Sequence, residues 1–180
     1  MITDTFLNNI IRHYKTNFGV LKDPHITHCR NQANLGAAIY QAAIAKDINN
    51  KKHSHQHLIK VDLLTLFAVH LCQDEISFRN SKSFDEIKHT IEKNVQARST
   101  LKGIGELTIY DTAIRIGAYK GLLPDKIYLH RGTRIGAQKL IPHRKLNSFI
   151  VKTDLPIPFH THNLTEAEIE DILCIYKDKF

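Results

Sequence analysis

Leu7, Ile10, Ile11, Tyr14 and Phe18 recur at three- and four-residue intervals behind a polar Thr3-Asp4-Thr5 start. That period predicts an amphipathic helix with one buried face. From about Thr27 to Asp47 the same period continues through Leu35, Ile39, Tyr40, Ala43 and Ile44, while Ala37, Ala38 and Ala42 form a small-residue face suited to close helix contact. This stretch reads as one long second helix. Asn49 to His57 holds turn formers, lysines and three alternating histidines but no apolar residue, which predicts an exposed connection. Val61 to Cys72 is apolar on nearly every side, the pattern of a central helix.

Ser83 and Glu86 have the spacing of a capping box, and Phe84, Ile87, Ile91 and Val95 follow one helical face that fades near Arg98. Leu101-Lys102-Gly103-Ile104-Gly105 interrupts the pattern. Leu107, Tyr110, Ala113, Ile114 and Gly117 then restart it as far as Lys120, where Gly121 and Pro124 end the run. Short helical pieces are expected from Asp125 to Leu140, and a short extended segment near residues 149–151. Pro156 and Pro158 interrupt regular structure after it. A last helix begins at the Thr165/Glu168 capping box, with Leu164 placed to staple against Ile169, and buries Ile169, Ile172, Leu173 and Tyr176. The sum is an all-α fold of six or seven helices in a single domain, residues 1–180.

Composition narrows the class. With 42% apolar and 24% charged residues, 180 residues suffice for one packed core and lie outside the range of disordered chains. No apolar run approaches the roughly 18 residues of a membrane span, and the first residues lack the pattern of a signal peptide. The expectation is a soluble, cytoplasmic protein with no membrane partner. Cys29, Cys72 and Cys174 are odd in number and far apart, which argues for free thiols rather than a disulfide framework or a Cys-x-x-Cys site. A net charge of +7 permits an anionic partner without choosing one. No Walker lysine loop, dinucleotide fingerprint or His-Glu-x-x-His occurs, and no cofactor is expected.

The turn at residues 101–108 carries the sharpest functional signal. Gly103 and Gly105 allow backbone conformations and approaches that side chains forbid, and Ile104 can anchor the turn between its two helices. Amides at the following helix start, with the helix dipole and Lys102 beside them, suit a phosphate oxygen. This sequence, with its flanking helices over about residues 84–120, resembles the helix-hairpin-helix motif, which has hydrophobic-x-Gly-hydrophobic-Gly before a second helix. Thr108 stands where the family often has Thr. The resemblance implies a sequence-tolerant, salt-sensitive grip on nucleic acid, DNA favoured over RNA, through Lys102, Gly103, Ile104, Gly105 and Thr108. The plainer alternative is a connection between two packed helices in a protein-interaction module.

A wider likeness reaches toward the helix-hairpin-helix DNA glycosylases, in which an aspartate stabilises the cationic sugar left as the base departs. Asp125 lies about where that family keeps its aspartate; a competing alignment puts Tyr128 there, and Asp111 is a further candidate if the fold differs. Leu107 occupies the position where lyase-active members carry lysine, so the likeness implies a hydrolase without a Schiff base. The alternative function is therefore hydrolysis at a damaged or modified base, with Asp125 catalytic.

Tyr128 to Arg134 gathers an aromatic ring, an imidazole and two guanidiniums, a set suited to phosphate or base contact, so His130, Arg131 and Arg134 join the nucleic-acid candidates. His53, His55 and His57 alternate in a polar loop with no carboxylate or cysteine beside them in sequence, and no metal ligand set is assigned. Asp111 and Arg115, four residues apart, read as an intrahelical ion pair.

Overall fold

The computed structural model describes residues 2–180. It is all-α: among the described residues, ten α-helices and four short 3-10 turns together make up 63% of the chain, beside one two-stranded sheet. The chain divides into two compact units, one of Met1–Val20 with Pro124–Phe180 and one of Leu21–Leu123.

The discontinuous unit opens with α1 (Asp4–Asn17), whose N-cap Thr3 accepts the Phe6 amide and whose Leu7, Ile10, Ile11 and Tyr14 are buried. The rest of this unit contains β1 (Ile127–Tyr128), α8 (Arg131–Leu140), β2 (Phe149–Ile150), α9 (Pro158–Thr161) and α10 (Glu166–Ile175). The strands are antiparallel, with Ile127 opposite Ile150 and Tyr128 opposite Phe149. One apolar cluster joins α1 to Ile127, Leu129, Ile150, Phe159, Ile169, Ile172 and Tyr176. Thr165 and Glu168 complete their capping box at 2.8 and 3.2 Å. The helical pieces expected from Asp125 are instead a bend and a strand followed by the single helix α8. Ile127 and Tyr128, one β-branched and one aromatic, suit a strand, and they pair with β2.

The continuous unit holds α2 (Pro24–Arg30), α3 (Leu35–Ile44), α4 (Val61–Gln73), α5 (Glu75–Asn80), α6 (Phe84–Gln96) and α7 (Glu106–Lys120). The expected long helix over 27–47 is two. Asp23 caps α2 through the His25 and Ile26 amides, with Pro24 in its first turn, and Asn34 caps α3 through the Ala37 amide at 2.9 Å. Asp23 and Asn34 each start a helix with a side-chain oxygen, and α2 ends at Arg30, where the Asn31 amide closes the last turn on the Thr27 carbonyl. α4 is less central than its composition suggests: Leu64, Phe67, Ala68 and Leu71 are buried, while Val61, Leu66 and Val69 remain exposed. Ser83 caps α6 through the Glu86 amide, but the Glu86 carboxylate reaches back to the Lys82 amide rather than to that of Ser83. Among the described residues, no helix is long and apolar enough to cross a membrane.

Candidate nucleic-acid interface

Helix α6 gives way to a short 3-10 turn at Ser99–Leu101, and α7 follows after Lys102 to Gly105. Leu101 and Ile104 are buried and fix both sides of the turn, and the Ile104 amide donates to the Leu101 carbonyl at 3.0 Å. Gly103 has φ of +114°, a conformation that an L side chain rarely adopts, and Leu63 of α4 lies 3.2 Å from where its Cβ would be. The chain can therefore reverse here only with glycine.

Gly105 is glycine for neither reason. Its φ of −94° is open to any residue, and a Cβ there would meet nothing within 4 Å. It is the N-cap of the fifteen-residue α7, no side chain among the described residues caps that helix, and the Ile109 amide donates to the Gly105 carbonyl. The amides ahead of that bond belong to the first turn, where helices carry unpaired donors and the positive end of the dipole. Lys102, Gly103, Gly105 and Glu106 are exposed around this spot. Thr108 is buried, so its hydroxyl does not face solvent beside the turn. Glu106 adds a negative charge beside the same amides.

The other candidates lie in the discontinuous unit. His130 is buried, and its Nε2 meets the Glu170 carboxylate and, at 2.8 Å, the Thr133 hydroxyl. Arg134 clamps the main chain, donating from Nη1 to the Leu146 and Asn147 carbonyls and from Nη2 to that of Leu129. These two side chains work inside the unit, and Arg131 is the exposed member of the trio. Asp125 is exposed in the bend ahead of β1. Tyr128 is buried.

The histidine loop departs most from its sequence reading. Most of it is exposed, as expected, at Asn49 to Lys51, Ser54, His55 and His57, but Gln56 is completely buried, and the loop is held against α2 and α7 through polar side chains. His55 Nδ1 and Gln56 Nε2 both reach Asp111 Oδ2, at 3.0 and 2.7 Å. Arg115 is buried, and its Nη2 donates to Gln56 Oε1 at 3.1 Å while Nη1 donates to the Ala42 carbonyl. The expected Asp111–Arg115 ion pair is thus replaced by a bridge through Gln56. Burial pushes the Asp111 carboxyl up, but the His55 hydrogen bond and the Arg115 charge outweigh it and hold Asp111 below the usual carboxylate range.

Beside this bridge, Asp23 Oδ1 lies 3.2 Å from His25 Nδ1, and Asp23 Oδ2 lies 3.5 Å from His53 Nε2. The His53 ring stands edge-on between those of His25 and His55, with centroids 4.7 and 4.6 Å away. Burial raises the Asp23 carboxyl, and bonds from His25 and His53 more than reverse it, leaving Asp23 well below the usual range. Asp23 could have been found locally, because Asp-Pro is a helix-start signature. Nothing local shows that the loop carrying His53 folds back onto it.

Comparison of the chain with protein-family models, with curated proteins and with solved structures finds no match.

Proposed function

We propose that the chain binds nucleic acid, DNA before RNA, by gripping a backbone phosphate at the start of α7. Gly105 carries this reading. Neither backbone strain nor packing accounts for a glycine there, and Ser, Asp or Asn is at least as good an N-cap as glycine. A ligand that must approach the amides closely does account for it. Lys102 supplies the adjacent positive charge, and the net charge of +7 favours a polyanion. Because the contact is to backbone phosphate, recognition would be sequence-tolerant and weakened by salt.

Two variants test this reading by fluorescence anisotropy with labelled duplex and single-stranded DNA across a salt series. In Gly105→Asp the new carboxylate takes an amide of the first turn and places a negative charge where the phosphate would sit. Folding stability should hold or rise by a few tenths of a kcal/mol, while affinity falls at least about tenfold. Lys102→Ala should weaken binding uniformly across sequences and lower the salt slope by about one. Equal binding by the native chain and Gly105→Asp, or no salt-dependent binding at all, would reduce the turn to a connection between α6 and α7.

A further inference from the structure

We propose that Asp23, His25 and His53 bind a divalent transition-metal ion of the zinc class, with a fourth position open to the small pocket beside them. One ligand atom from each of the three side chains lies within 4.8 Å of the other two. Each histidine faces its own oxygen of the Asp23 carboxylate, His25 Nδ1 at 3.2 Å from Oδ1 and His53 Nε2 at 3.5 Å from Oδ2. A tetrahedral ion with bonds of about 2.0–2.1 Å sets its ligands roughly 3.3–3.4 Å apart, so each imidazole stands near that spacing from the carboxylate that lies between them.

The contacts of His25 suit a metal ligand. Its Nε2 lies 3.0 Å from the Lys51 carbonyl, and its Nδ1 faces Asp23 Oδ1 at 3.2 Å. The carbonyl on the far nitrogen is the outer contact that orients a metal-bound histidine and fixes its tautomer.

The ligands are held before any ion arrives. Asp23 is pinned as the α2 cap by the His25 and Ile26 amides at 2.7 and 3.2 Å. His25 is only 7% exposed. Coordination through His53 Nε2 shifts that ring's proton to Nδ1, giving up the contact it accepts from the His55 amide at 3.2 Å. A pocket of about 250 Å³, lined by all three ligands together with Asp47, Lys51 and Lys52, gives an ion or water a way in. Two imidazoles with one carboxylate favour zinc and its neighbours over the all-oxygen sites of magnesium or calcium.

The test is titration of the full chain with Co²⁺, read by the visible bands of a tetrahedral site, and with Zn²⁺, read by competition with a chelating dye. Asp23→Asn keeps an N-cap residue and so preserves α2. The assignment expects one ion per chain, with affinity at least about tenfold weaker in Asp23→Asn, His25→Ala and His53→Ala. The exposed His89→Ala on α6 should bind as the native chain does. Zn²⁺ should raise the melting temperature of the native chain and not that of Asp23→Asn. Absence of saturable binding, or equal loss in His89→Ala, would overturn the site. Loss in Asp111→Asn with Asp23→Asn intact would move the ion to the neighbouring His53, His55 and Asp111 group and overturn it too. Gly105→Asp should bind the metal normally, so the phosphate grip and the metal site stand or fall separately.

Discussion

Asp111 and Arg115, one turn apart on α7, are joined through the buried amide of Gln56, which donates to the carboxylate at 2.7 Å and accepts from the guanidinium at 3.1 Å. A neutral side chain from the histidine loop thereby bridges two opposite charges and holds the loop against the helix. Removing the amide leaves both charges short of a partner where water has little access. Gln56→Leu should therefore lower stability by about 1–3 kcal/mol with the denaturant slope unchanged, as measured by urea unfolding. A neutral outcome would mean that the loop is held by its other contacts.

Glu106 sets the electrostatics of the proposed phosphate grip. Its carboxylate is favourable to α7 as a charge near the helix start, but it repels a phosphate approaching the same amides. Glu106→Gln should cost a few tenths of a kcal/mol in stability and tighten DNA binding several-fold at low salt, with the gain fading as salt rises. Thermal unfolding and anisotropy on one preparation read both signs. Unchanged affinity would place the DNA elsewhere.

The buried group of His130, Thr133 and Glu170 ties α8 to α10, with the Thr133 hydroxyl donating to Glu170 at 2.5 Å. Taking away the carboxylate removes the acceptor that the His130 and Thr133 side chains share in the core. Glu170→Ala should destabilise by about 3 kcal/mol or more in chemical denaturation. A loss under 1 kcal/mol would mean that water reaches the gap.

Cys29 is buried and its thiol is pushed up to about 12, chiefly by burial and against the pull of the Arg115 charge. Two outcomes follow. Native Cys29 should resist iodoacetamide at pH 8, where the half-buried Cys72 and Cys174 react first, and should label only when the chain unfolds. Because the folded thiol holds its proton more tightly than the unfolded one, its stabilising contribution is full below about pH 9 and declines as pH rises toward 12. Cys29→Ala should flatten that alkaline decline, as measured by denaturation at a series of pH values.

What the sequence made legible was local. The polar start at Thr3 to Thr5, the caps at Ser83 and Thr165, the buried faces of α1, α6 and α10, and the turn at 101–105 all rest on residues within a few positions of one another. The break at Asn31–Asn34 was hidden by an alanine-rich run whose propensity spoke for helix, although Asn34 is itself a cap. Strand β1 is two residues long, too short for any period to show, and it exists because β2 lies beside it. The histidine loop was unreadable for a different reason. Its partners Asp23 and Asp111 lie 30 positions before His53 and 56 positions after His55, so its attachment to them belongs to the tertiary fold alone.

The division of the chain carries a consequence for its synthesis. One unit is closed by residues from both ends of the sequence, and the other is an uninterrupted stretch between them. As the chain leaves the ribosome, α1 emerges before the intervening unit, and Ile127, Ile150, Phe159 and Ile172, which pack in its cluster, appear only after that whole unit has been made. Leu7, Ile10, Ile11 and Tyr14 must therefore wait for these partners while the intervening unit is synthesised, and α1 is the segment a chaperone would be expected to hold in that interval.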